Sequence, residues 1–257
     1  MTGWLAILIV TGTAVLSVFG VIAVRRRFAV EVLEKQHEVG GFLYNALAVI
    51  YGILLAFVVF VVWTSYQSTS DAVASEADQL VDLLRLSEGF APEVSAEIRE
   101  SLRRYSRSVV DEEWPAMREG RESPGVEREI EGLWRVYVRP ASTIPRDSPL
   151  YSESLQHVSR LADARRARLS KSGSRIPAML WVLLLAGGLV MILFTYFFGT
   201  RNLRAQILMT AALASQIAFI LFLVAAIDRP FDGAMRIEPR AYEKVMQRIE
   251  ASSRRGP

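Results

Sequence analysis

Four stretches of this chain are almost wholly apolar. They run at about residues 4–24, 41–63, 177–198 and 205–227. About 20 apolar residues at 1.5 Å rise cross a hydrocarbon core of about 30 Å, so each stretch reads as a transmembrane helix. The pattern predicts an all-α membrane protein with four transmembrane helices. A helical, four-helix-bundle-like extramembrane domain is expected between spans two and three. By this reading residues 1–63 hold spans one and two, 64–176 the domain, 177–227 a hairpin of spans three and four, and 228–257 a boundary turn and tail.

The second span, GFLYNALAVIYGILLAFVVFVVW, carries no charge. Val49, Ile53 and Phe57 recur at every fourth position as a bulky stripe. Asn45, Ala48, Gly52 and Ala56 form a small or polar stripe, as expected where one helix meets different neighbours on different faces. After Trp63 no proline or glycine appears until Gly89. Tyr66, Val73, Ala77, Leu80 and Leu84 keep near-heptad spacing. Span two is therefore expected to run on as an amphipathic, water-facing helix that ties the domain mechanically to the membrane. Glu76 neighbours the apolar seam of that helix, where a surface ion pair with another helix would contribute under about 1 kcal/mol.

Three prolines open three further helices. Pro92, Pro124 and Pro149 each stand where a missing N–H is harmless, with Ser123 as an N-cap before Pro124. Pro115 inside DEEWPAM predicts a kink or an end at Trp114. RPASTIPRDSP reads as a connector, and a short tail helix is expected at about 239–251, followed by a frayed SSRRGP.

Polar and charged positions refine this picture. Gln216 lies near the middle of span four, where a polar side chain takes an interhelical hydrogen bond or lines a water-filled path, and Asn45 is a second polar residue, inside span two. Arg165, Arg166, Arg168, Lys171 and Arg175 crowd the approach to span three and read either as a plain solvated face or as a basic collar at the membrane surface, able to attract anions. In span one, Thr13, Ser17 and Gly20 mark a close helix contact, as do Gly187 and Gly188 in span three. Arg25, Arg26 and Arg27 follow the first apolar block instead of preceding it, so that block reads as a retained span, not a cleaved leader. With four spans, both termini and the domain share one side. The tail holds seven Lys/Arg against six in the two opposite connectors, a small bias toward a cytoplasmic domain in a multi-pass inner-membrane protein.

Composition removes several chemistries. The chain has no cysteine and two histidines, His37 and His157. Thiolate nucleophiles, disulfides and paired-His metal motifs are therefore excluded. No phosphate-cradling glycine loop, nucleophile elbow or nucleic-acid module is present. No catalytic residue, metal ligand or cofactor is expected, and the partners expected are membrane lipids and further copies of the chain.

IDRPFDG at 227–233 closes the fourth span. Asp228 and Arg229 reach the interface, Pro230 stops the helix, Phe231 can turn back among helix ends, and Gly233 permits a tight turn. Asp228 is expected to pair with Arg229 or with a base of the 160–175 cluster.

Two of these stretches, with the layout of the whole chain, resemble the bacterial bestrophin-like membrane proteins, which are similar to bestrophin anion channels. The acid, Pro-Phe and Gly of IDRPFDG match the boundary after the fourth bestrophin span, with Asp228, Pro230 and Phe231 in place and Gly233 one residue late. LLAF at 54–57 is similar to the Leu-Gly-Phe context of the bestrophin pore neck, with Ala56 for glycine. The resemblance implies a homo-oligomeric, pentameric anion channel with a neck of Val49, Ile53 and Phe57. The acidic run that holds calcium in animal bestrophins is not matched here. The alternative is a membrane-anchored sensor or scaffold, dimeric, whose helical domain binds a ligand or partner protein.

Overall fold

The computed structural model describes residues 2–28, 37–138, 148–198, 200, 202–233 and 235–254. Lys35, most of the 139–149 connector, Arg201 and Arg255 lie outside the described residues, as does the side chain of His37. The described elements are α1 (Thr2–Arg27), α2 (His37–Ser87), α3 (Pro92–Ser108), a π-helical turn (Val109–Glu113), α4 (Trp114–Arg118), α5 (Pro124–Val138), α6 (Pro149–Ser172), α7 (Ala178–Tyr196), α8 (Leu203–Ile227) and α9 (Arg240–Arg254). The protein is an all-α membrane protein. α1, α2, α7 and α8 are long and apolar enough to cross a membrane.

The chain divides into two units. The first takes residues 1–64, 175–229 and 233–235; the second takes 65–174, 230–232 and 236–257. In the first unit α1 packs mainly along α8. Arg25, at the end of α1, donates from Nε to Gln206 Oε1 at 2.8 Å and also to the Thr200 carbonyl. The small residues of the spans seat large ones. Gly20 faces the Tyr196 ring, and Gly187 and Gly188 face the ring of Tyr51. Tyr51 threads this gap and donates to the Leu184 carbonyl at 3.0 Å. Two glycines thus make room for an aromatic ring that satisfies its own hydroxyl inside the span.

The second unit is built on the water-facing half of α2. Leu80, Leu83, Ile98, Leu102, Leu133 and Leu161 are fully buried at its centre. Proline stands in the first turn of α3 and of α6, and Pro124 begins α5. Ser123 Oγ accepts from Gly125 N–H at 3.1 Å, capping α5 as its sequence predicts. At Pro115 the helix does not end. It passes through the π-helical turn, whose closing bond runs from Trp114 N–H to the Val109 carbonyl, five residues back. The wider turn accommodates a residue that can neither donate nor fit beneath the carbonyl four before it.

The tail differs from its expectation. α9 reaches Arg254, beyond the expected end at 251. Tyr242, Val245 and Ile249 are buried in the second unit's core, so the tail is one of its helices and not an appendage. Their spacing of three and four places them on one stripe, which needs an apolar partner.

The Tyr51 seat generates a test. A Cβ on Gly188 would lie 2.8 Å from Tyr51 Oη and 3.0 Å from Ile217 Cγ2. Gly188→Leu should therefore destabilise the protein by about 1–3 kcal/mol, the usual range for overpacking. Thermal unfolding in detergent measures it; an unchanged midpoint would remove Tyr51 from the packing of the spans.

Candidate functional site

Along span two, buried and exposed positions separate cleanly. Tyr51, Leu55, Val58 and Val62 are buried. At about 100° per residue these four share one stripe, and Val49, Ile53 and Phe57 lie across the helix from it. Val49, Ile53 and Phe57 are 55, 66 and 59% exposed. Asn45, Gly52 and Ala56 are exposed as well. Ala48 is half-buried, so the small stripe runs along the border of the packed face and adjoins the bulky stripe on the outward side. Within one chain the packing is made by the buried stripe, whose large residues do not stand out in a span that is apolar all round. Asn45 stands one turn before Val49 on that face. Gln216 is also exposed on α8.

The predicted basic collar is not one surface. Arg168 is fully buried and Arg165 is 4% exposed. Arg168 donates from Nε to Glu76 Oε2 at 2.7 Å and from Nη2 to Glu113 Oε2 at 2.5 Å. Arg165 donates from Nη2 to Glu113 Oε1 at 2.6 Å and is paired with Glu127 on its outer side. Glu76 and Glu113 are themselves fully buried, and Tyr105 donates to Glu76 Oε1 at 2.6 Å. Two guanidinium groups and two carboxylates thus alternate through the core, and their charges cancel. Trp114 and Tyr242 place their rings 5.7 and 5.9 Å from the Arg168 guanidinium carbon.

Glu76 is therefore a core residue and not the surface partner its sequence position suggests. Its signal was present: it falls three residues after Val73 and four before Leu80, on the buried face. Glu113 gave no such signal, because the π-helical turn shifts its register. Burial pulls the Arg168 pKa down, but Tyr242 and Glu76 outweigh that and hold it well above its ordinary value. Burial, reinforced by Glu76, pushes the Tyr105 phenol well up, so it remains a donor.

The remaining collar residues disperse. Lys171 donates to the Ser68 carbonyl at 2.9 Å, and Arg166 is exposed beside Asp163. Arg175 is exposed. His157 faces Gln79, with Nδ1 2.8 Å from Oε1.

IDRPFDG forms a built turn. Asp228 Oδ1 accepts from the Ile176 backbone N–H at 2.8 Å, so a backbone amide, and not the expected basic side chain, is the partner the geometry gives it. Gly233 N–H donates to the Arg229 carbonyl at 2.6 Å, and Ile237 N–H to the Pro230 carbonyl at 2.7 Å. A Cβ at Gly233 would collide with the Ala226 carbonyl, which accounts for glycine there. Phe231 is buried edge-on against Trp114, with ring centroids 5.3 Å apart. Among the described residues no three acidic or histidine side chains gather as a metal site.

Two substitutions follow from these contacts. Arg168→Met leaves Glu76 and Glu113 buried without their shared cation, and should destabilise the second unit by about 3–5 kcal/mol. Urea unfolding followed by tryptophan fluorescence measures this, and a loss below about 1 kcal/mol would mean the carboxylates find other partners. Asp228→Ala strands the Ile176 N–H and should lower stability by about 1 kcal/mol, whereas Asp228→Asn keeps an acceptor and should lower it less. Equal losses in thermal unfolding would place the role of Asp228 in its charge instead.

Three crystal structures share this fold. A bacterial bestrophin homologue from Klebsiella pneumoniae, carrying a leucine-to-threonine mutation, superposes with a TM-score of 0.76 at 11% identity, over 95% of this chain and 98% of that one. A counterpart from the same organism with an isoleucine-to-threonine mutation gives 0.74 at 12% identity, over 94 and 99%. A further membrane protein, a proline-to-alanine variant, gives 0.73 at 12% identity, over 94 and 97%. No curated protein matches the sequence. The sequence does match the bestrophin-like domain over residues 11–242, nearly its whole length, and the chain belongs to the bestrophin-like family of membrane proteins.

Proposed function

We propose that this protein forms a homo-oligomeric anion channel, pentameric, in which span two lines the pore. The observation that carries the reading is the outward face of that span. Val49, Ile53 and Phe57 lie opposite the packed stripe and present three bulky apolar side chains at one-turn intervals. Such a stack, repeated around a ring of copies, makes a hydrophobic neck that gates by dewetting. Asn45 on the same face supports a lumen over lipid, because a polar amide facing hydrocarbon would be unfavourable and one facing water would not. The bestrophin resemblance supplies the anion. The buried Arg165 and Arg168 do not contribute to attracting it, since their charges are already balanced. The extramembrane unit and both termini are placed in the cytoplasm and the spans in the inner membrane, in line with the basic tail.

Reconstitution in liposomes tests the proposal. A chloride current should be present, and Ile53→Ala and Phe57→Ala should each raise it several-fold by widening and wetting the neck. No current, or a current that neither substitution changes, would defeat the neck. Particle symmetry in detergent gives an independent answer. A five-fold ring supports the channel; a dimer supports a membrane-anchored sensor or scaffold.

A further inference from the structure

The second unit also holds an open cavity of about 620 Å³, away from the buried ion pairs. α2, the start of α3 and the end of α9 wall it. Its floor is apolar, with Leu84 buried and Phe90 half-buried. Phe90 is held edge-on to Tyr137, with ring centroids 6.0 Å apart, so one ring face is fixed in place. Its rim is cationic, with Arg85, Arg99 and Arg248 arriving from three different helices.

The charges here do not cancel as they do in the core. Glu88 is the one acid among the lining residues, against three arginines. Arg85 leans on Asp82 at 3.3 Å, an exposed pair of little strength. Arg99 uses Nε on the Ser95 carbonyl of its own helix, and the guanidinium carries four further N–H donors. Arg248 is exposed, with no carboxylate paired to it among the described residues. Pro92 and Ser95 bring the first turn of α3 to the cavity wall, and that turn has no side-chain cap. Its partial positive charge adds to the field, with Glu93 in the same turn working against it. Three donors with planar forks, converging over an apolar floor, match an anionic head on an apolar body.

We propose that this cavity binds a small soluble organic anion, a phosphate or carboxylate carried on an aromatic or aliphatic body. Arg99 and Arg248 hold the head, and Leu84 and Phe90 receive the body. The site lies on α2, the helix that also carries the outward face of span two, but binding does not depend on ion conduction. A sensor would use the same site.

Calorimetry on the full chain in phosphatidylcholine nanodiscs tests it, with phenyl phosphate and inorganic phosphate as probes. Phenyl phosphate should bind saturably, one per chain, and at least about tenfold tighter than inorganic phosphate because the ring is buried as well. Arg248→Ala should weaken phenyl phosphate by about tenfold or more, as loss of a charge-assisted contact does. Phe90→Ala should weaken phenyl phosphate and leave inorganic phosphate unchanged, which also reports that the variant is folded. Arg166→Ala, an exposed arginine elsewhere on the unit, should change nothing. The proposal is overturned by the absence of saturable binding, by equal affinity for both probes, or by an Arg166→Ala loss as large as that of Arg248→Ala. Loss of phenyl phosphate binding in nanodiscs containing phosphatidylglycerol would also overturn it, by making a lipid the occupant.

Discussion

Arg168 carries a full positive charge where no water reaches it. That is tolerable only because Glu76 and Glu113 reach it from two other segments, and because Arg165 shares Glu113 and passes the outer contact to Glu127. An ion moved from water to a low-dielectric core loses several kcal/mol unless its partners are held in place. The architecture of the second unit follows from that constraint. α2 contributes Glu76, the π-helical turn contributes Glu113, and α6 contributes both arginines. A slip in the register of any one of these segments would strand one of the four charges. The apolar core supplies the driving force, and the ion pairs select the arrangement. Trp114 and Tyr242 close over the guanidinium, which also brings the tail helix α9 into the core.

The first unit is organised by a different rule. Hydrocarbon gives apolar side chains no preference between a neighbouring helix and lipid, so small residues and shape decide the packing. Gly187, Gly188 and Tyr51 form a socket of that kind, and Gly20 with Tyr196 forms another. Span two spends one face on such contacts and keeps the opposite one, with Val49, Ile53 and Phe57, outward. The same fold is found in crystal structures at only 11–12% identity, so it does not depend on most of the individual residues.

Much of this was legible along the chain. Four apolar runs set the spans, because length and the absence of charge are properties of the segment alone. The lack of proline or glycine between Trp63 and Gly89 made α2 one helix, and prolines at 92, 124 and 149 marked where three others begin. Glycines announced close contacts, and IDRPFDG announced a turn. Less was legible at the candidate site. The stripe of Val49, Ile53 and Phe57 could be seen, but in a helix apolar on every side nothing in the sequence said which face was packed. The arginines before span three read as one surface, since a helix face cannot be assigned inside or outside without its neighbours.

The sequence by itself determined segments: where helices start, how long they are, which belong in lipid, and which backbone positions admit only glycine or proline. Each of these follows from covalent geometry or from local hydrophobic length. The tertiary structure alone decided partners: that Arg165 and Arg168 are core cations, that Glu76 is buried with them, that Asp228 takes a backbone amide, and that the tail completes the second unit. Those outcomes depend on distant residues meeting in three dimensions, 52 positions apart for Ile176 and Asp228 and 92 for Glu76 and Arg168. There the burial of one charge is acceptable only if the opposite charge is buried beside it.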